Sequence, residues 1–202
     1  MKKLLLFFLL ITTTFSYSQE RETEKNFKIQ KGSWNYSGQI SFSGFSDANT
    51  NEIGGDLNAQ IGYTIKDNLV IGLGFGANRS RVPLLDNAIQ SDQKELGISA
   101  YAFVKKYIPI SEKLAFSLQG ELRYSYLEGL DNNRVTISER DRYSIGIRPG
   151  LTYFLSKNLA LSANFGFLGY ALTNDRNTNQ NAHSYGFNFD ATNITFGILL
   201  NF

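Results

Sequence analysis

The chain has 202 residues, with 20 Lys+Arg against 18 Asp+Glu, one His and no Cys, and it is rich in Gly (18), Phe (16) and Tyr (11) beside only 3 Pro and 1 Met. Without cysteine there is no disulfide framework, no lipid-modified cysteine and no thiolate metal site. The length allows one domain with a substantial core, and the aromatic and glycine content favours strands over helices.

At the N-terminus, Lys2 and Lys3 precede an apolar run over 4–11, and Ser16, Tyr17 and Ser18 offer a cleavage stretch, so residues 1–18 read as a secretory signal peptide. The apolar run is too short to span a bilayer. Both surplus positive charges lie in this segment, which leaves 18 residues of each sign in the rest of the chain. No basic stripe survives, and a nucleic-acid partner is not expected. Residues 19–31 (QERETEKNFKIQK) are polar and charged without alternation and form a short lead.

Period-two alternation begins at Trp34, where Trp34, Tyr36, Ile40 and Phe42 oppose Asn35, Ser37, Gln39 and Ser41. A second strand sets Leu57, Ala59, Ile61 and Tyr63 against Asp56, Asn58, Gln60 and Gly62, and Lys66, Asp67 and Asn68 turn the chain. The third places Leu69, Ile71, Leu73 and Phe75 opposite Val70, Gly72, Gly74 and Gly76, with a long polar stretch expected over 78–93. A fourth strand over 95–108 carries bulky residues on both faces, and 109–113 turns. The fifth opposes Leu118, Leu122, Tyr124 and Tyr126 to Ser117, Gln119, Glu121 and Arg123, before a long loop over 128–139. The sixth opposes Tyr143, Ile145, Ile147, Leu151 and Tyr153 to Ser144, Gly146, Arg148 and Gly150. The seventh carries Leu159, Leu161, Ala163, Phe165 and Phe167 on one face, and an Asn-rich loop containing His183 leads into the eighth. That last strand starts near Ser184, changes phase around 190–193 as a β-bulge would, and ends with Ile194, Phe196, Ile198, Leu200 and Phe202 on one face.

Eight strands with alternating long and tight connections define an all-β, eight-stranded antiparallel up-and-down barrel over 32–202, a transmembrane β-barrel if the apolar face meets lipid. The rival is a soluble lipocalin-like barrel with its apolar face inside. The polar face decides for the membrane, because it is dominated by Ser, Gly, Asn and Gln, which fit a narrow lumen, instead of Lys and Glu. The signal, the eight alternating segments and the terminal Phe202 resemble small outer-membrane β-barrels of the OmpA/OmpX type, in the generic outer-membrane β-barrel domain family of Gram-negative bacteria. The resemblance implies a periplasmic lead, an outer-membrane location and lipid and lipopolysaccharide neighbours. It also implies that the barrel-assembly machinery reads Phe196, Ile198, Leu200 and Phe202 as an assembly signal, and that the role is structural or surface-interacting.

Charges within lipid-facing strands are costly, about 2–4 kcal/mol for Lys or Arg at mid-bilayer, so those in the strands belong in the lumen. Glu121, Arg123 and Arg148, with Asp56 and Glu95, are therefore expected to form a lumenal ionic network, with Glu121 and Arg148 paired across the fifth and sixth strands. Tyr101 and Phe103 are expected to lean inward over Gly72, Gly74 and Gly76, leaving Ile98, Ala100, Ala102 and Val104 towards lipid. Those glycines lack the spacing and the helix of a dinucleotide loop. Val82, Leu84 and Leu85 around Pro83 are the candidate loop contact surface. His183 next to Ser184 does not make a nucleophile, base and orienter, and one His without Cys makes a poor metal site, so no catalytic residue, metal or cofactor is expected. A lipid-modifying enzyme and a narrow channel remain the alternatives, with any extracellular ligand unknown.

Overall fold

The computed structural model describes residues 28–46, 51–86, 89–131, 133–188 and 194–202; the signal peptide and the expected phase change at 190–193 lie outside the described residues. Ten strands run in chain order: β1 (Trp34–Ser46), β2 (Asn51–Lys66), β3 (Leu69–Asp86), β4 (Ile89–Pro109), β5 (Leu114–Leu130), β6 (Thr136–Phe154), β7 (Leu159–Asn164), β8 (Phe167–Asp175), β9 (Gln180–Asn188) and β10 (Thr195–Asn201). Every pairing is antiparallel, and the order β5-β4-β3-β2-β1-β10-β7-β6-β8-β9 with β5 also paired to β6 closes a ring. β7 with β8, and β9 with β10, are each two halves of one stave, so the ring has eight staves.

The register sets the barrel's shape. A hydrogen-bonded row from Asp56 runs through Asn78, Gly97 and Leu127 to Arg140, and the other way through Ser41, Thr195 and Asn164 to Gly150. The two arrivals on β6 lie ten residues apart, a stagger that tilts the staves and leaves an interior side chains can fill.

Outward parity is apolar: Leu57, Phe75, Ile98, Leu122 and Ile145 are each 58–65% exposed, which no water-soluble barrel of this size would tolerate as a continuous belt. Aromatic rings border the belt, with Trp34 edge-on to Tyr63 at 5.2 Å and Tyr36 to Phe202 at 6.3 Å near the end that carries the tight turns. Tyr124 and Tyr143, 5.2 Å apart, stand near the opposite, loop end. Inward parity is polar around mid-barrel and apolar below, where Val70, Tyr107, Ala115, Phe154, Ala160 and Leu199 cluster at the turn end.

Four sequence expectations need correction. The stretch over 78–93 is not a loop: β3 has 18 residues and β4 has 21, far more than the roughly 9–11 that cross a bilayer, so this hairpin projects well beyond the belt. Cross-strand backbone pairing carries it where side-chain alternation fades, and Val82, Leu84 and Leu85 pair with Gln93, Ser91 and Gln90. Which way those three side chains face lies outside the described residues. Likewise β5 and β6 reach to Leu130 and Thr136, and His183 sits in β9 opposite Leu172, not in a loop. Finally, Phe167 does not share the outward face of Leu159 and Leu161. Gly166, at φ 74°, adds a residue between Asn164 and Phe167, and both of these face inward.

The lead segment also contributes. Residues 28–33 cross the turn end as a strap, and Ile29 is fully buried in the apolar cluster. Its N–H donates to Asn68 Oδ1 at 2.9 Å while the Asn68 N–H donates back to its carbonyl at 3.0 Å. Asn68, at φ 61°, supplies the left-handed corner of the β2–β3 turn that brings both groups into line. Gly32 N–H donates to the Thr64 carbonyl at 2.8 Å, Lys31 N–H to Asp67 Oδ1 at 2.9 Å, and Lys28 pairs with Asp67 at 2.8 Å. The Lys28 ammonium and the Lys31 N–H hold the Asp67 carboxyl below its ordinary value of 3.8.

Candidate functional site

Period-two alternation on β4, β5 and β6 drives the chemistry-bearing side chains into the lumen. Glu121, 4% exposed, sits at the centre. Its Oε1 accepts from Arg148 Nη2 at 3.1 Å and Arg123 Nε at 3.3 Å, and its Oε2 accepts from Gln119 Nε2 at 2.9 Å. Glu121 lies directly opposite Gly146, and Arg148 opposite Gln119, so the Glu121–Arg148 pair is a diagonal contact. Arg123 Nη1 also donates to Asn58 Oδ1 at 3.2 Å and Ser99 Oγ at 3.0 Å, and its guanidinium lies 3.8 Å over the Tyr101 ring. A carboxylate taken from water is tolerable only with such charge-assisted bonds around it.

The other two acids stand apart from this group. Asp56 accepts from Ser41 Oγ at 2.7 Å and has no cationic partner among the described residues, whereas Glu95 pairs with Arg140 near the loop end. Tyr101 and Phe103 are buried over the third strand's glycines: a Cβ at Gly74 would strike the Tyr101 ring, and one at Gly72 the Phe103 ring. Ile98 and Val104 are exposed on the opposite face.

Lys105 is a lumenal charge that the sequence reading does not single out, although it shares the parity of Tyr101 and Phe103. It is 5% exposed, lies 5.7 Å from the Phe103 ring centroid and 6.0 Å from that of Tyr107, and donates to Gln60 Oε1 at 3.3 Å. Gln60 Nε2 donates to Gln119 Oε1 at 3.4 Å and to the Tyr101 hydroxyl at 3.0 Å, and Gln119 donates on to Glu121. Two amide dipoles thus run head to tail from the buried cation to the buried anion, each polarised in the sense that stabilises both charges.

Free space shrinks towards the turn end. A cup of about 540 Å³ opens at the loop end among Asp56, Ser99, Arg123, Arg142, Arg148 and Phe167. Beneath it lies a chamber of about 110 Å³ bounded by Gln39, Gln60, Gln119 and Glu121. Below Gln60, beside Lys105 and Tyr107, about 10 Å³ remains, room for roughly one water. Among the described residues, β1 beyond Ser41 pairs only with β2 at the loop end, and β9 only with β8.

His183 Nδ1 lies 2.6 Å from the Tyr170 hydroxyl on exposed β9, and Ser184 points to the other face of that strand. Among the described residues no group of three His, Cys, Asp or Glu side chains could hold a metal ion.

No protein-family model matches the chain, and no curated protein matches it. Solved structures do. A major outer membrane protein from Thermus thermophilus is similar with a TM-score of 0.51 and 14% identity, over 85% of this chain and 99% of that one. Neisserial surface protein A (NspA) is similar at a TM-score of 0.47 and 18% identity, over 85% and 98%, and the Yersinia pestis outer membrane protein Ail at 0.37 and 16%, over 85% and 100%. The fold is that of a small outer-membrane β-barrel of the OmpA/OmpX type, with eight antiparallel up-and-down staves.

Proposed function

We propose that this chain is an integral outer-membrane protein, inserted after removal of residues 1–18, that stabilises the envelope and presents its loop end to the exterior. The observation that carries the reading is the outward apolar belt between aromatic rings, a surface suited to lipid hydrocarbon. The turn end, with the strap and Phe202, then faces the periplasm, and lipid and lipopolysaccharide surround the belt. The pairing of Glu121 with Arg123 and Arg148 and the narrowing of free space towards the turn end support a closed barrel with no catalytic centre. The pairing of Tyr170 with His183, with no orienting carboxylate in hydrogen-bond contact among the described residues, supports it over a lipid-modifying enzyme.

Phe196, Ile198 and Leu200 face outward on β10, and Phe202 exchanges backbone hydrogen bonds with Trp34 at 2.7 and 2.9 Å, closing first stave on last. The assembly-signal role assigned to these residues is tested together with location. In membrane fractions the wild-type protein should partition with the outer membrane and change gel mobility on heating. Deleting Phe202 should lower the heat-shiftable fraction and leave periplasmic precursor. Recovery of wild-type protein in the soluble fraction contradicts the membrane reading, and unchanged insertion of the deletion contradicts the signal.

A further inference from the structure

The outer wall is not uniform. An open groove of about 680 Å³ lies on its loop-end half, and the register explains the hollow. Gly55 sits between Phe42 and Arg79, and Ala77 between Leu57 and Ile98, so two small residues are flanked by large ones on the outward face. Nearer mid-belt a second open hollow of about 560 Å³ lies over Gly120, walled by Val104, Leu122 and Ile145. β4 leads from one to the other through Ala100 and Ala102, both outward and exposed. A line of low relief thus runs down the lipid-facing wall.

The upper end of that line is charged. Arg79 lines the groove itself and has no hydrogen-bond or ion-pair partner among the described residues. Its row runs through Leu96 to Glu128, beyond Tyr124 on β5, which sets it at the loop-end border of the belt, where a lipid-facing charge costs least. Lys94 shares the outward parity of Leu96 and Ile98 on β4, nearer the loop end. Glu128 stands on the far side of Leu96 from Arg79, and its carboxylate already accepts from Thr136 Oγ1. Hydrocarbon alone would fill the hollow but leave the cations unmatched. A guanidinium at the headgroup end of an apolar groove fits a phosphate above an acyl chain.

We propose that this groove binds a phosphorylated lipid of the leaflet at the loop end. Its phosphate lies on Arg79 with Lys94 beside it, and one acyl chain runs over Gly55 and Ala77 towards Gly120. The inference rests on the membrane reading and names the class of lipid that one part of the belt selects.

The test is an NMR titration of the full mature barrel in neutral maltoside micelles, reading the Arg79 Nε–H and the Ala77 methyl group. Three probes are compared: dioleoyl phosphatidic acid, dioleoylglycerol, which lacks only the phosphate, and inorganic phosphate, which lacks the chains. Phosphatidic acid should give saturable shifts at both groups, and each of the other two should bind at least tenfold more weakly. Arg79→Gln and Ala77→Phe should each weaken phosphatidic acid at least tenfold, while Glu128→Gln across the groove and Arg142→Gln in the lumen should not weaken it. Absence of saturation, dioleoylglycerol or inorganic phosphate binding as tightly as phosphatidic acid, or an unaffected Arg79→Gln variant would overturn the proposal. Weaker binding in Glu128→Gln would overturn it in favour of a zwitterionic headgroup. A wild-type barrel without a heat shift on gels contradicts the membrane reading itself, whereas a heat-shifted barrel that does not select the phosphate contradicts this inference alone. If a variant does not insert, the three probes on the wild-type barrel decide.

Discussion

At the turn end the staves, the strap and the lower lumen pack into one continuous plug, while at the loop end the same staves surround a polar cup with unpaired charges on its walls. The plug is built from apolar burial around Ile29 and Tyr107, whereas the cup is held by hydrogen bonds and ion pairs around Glu121. The difference lies in what each end must satisfy. Apolar contacts exclude water wherever they fit, but ions in a narrow interior are stable only if every lone pair and proton is matched. Stability should therefore concentrate in the ionic layer and at the plug, with tolerance above.

The largest effect should come from the layer where the two regions meet. Glu121→Gln leaves two guanidiniums without their carboxylate and should destabilise the barrel against denaturant by about 3–5 kcal/mol. Arg148→Met should cost less, because Arg123 still lies 3.3 Å from Glu121. The double variant should be more stable than Glu121→Gln alone; strictly additive losses would remove the diagonal pair from the account.

At the plug, Ile29→Ala should cost about 2 kcal/mol, the low end for a buried Ile because the strap can release. Hydrogen exchange should show faster opening at the Ile29 and Asn68 amides with no change around Arg142. Equal protection in both proteins would mean that the strap does not seal this end.

A smaller effect should separate inner wall from outer wall. Gly74→Val drives a side chain into the Tyr101 ring and should cost about 1–3 kcal/mol by overpacking. Gly38→Val on the outer face of β1 meets nothing within 4 Å and should be neutral in the same denaturation assay.

The smallest effect is the strap's response to pH. The folded-state Asp67 carboxyl titrates below its ordinary value of 3.8, so its contribution is present in full above that value and is lost as pH falls through the folded pKa. Protection of the Lys31 amide should hold from neutral pH down to about 4 and drop only below it. A drop near neutral pH would assign the latch to another group.

Much of the fold was legible because lipid and lumen impose opposite chemistry on alternate residues. The outward faces of β1, β2, β3, β5 and β6 follow from alternation, and the facing of β4 follows from the glycines it must cover. Ile29 was not legible, since it is a lone apolar residue among charges and its burial depends on a turn 39 residues away in sequence. Phe167 misled because a single extra residue at Gly166 reverses parity without changing composition. The ionic centre could be placed from parity alone, whereas the glutamine relay to Lys105 depends on side-chain reach across three staves. The length of β3 and β4 escaped because the polar stretch over 78–93 reads as a loop, whereas backbone pairing continues through it to Asp86 and Ile89.

Conductance across planar bilayers tests most directly whether the turn end is sealed. Reconstituted wild-type protein should carry no large, stable current at any applied potential, because the lumen narrows to about 10 Å³ beside Lys105. A reproducible porin-like current from the wild-type barrel would contradict the plug and move a channel role ahead of the structural one.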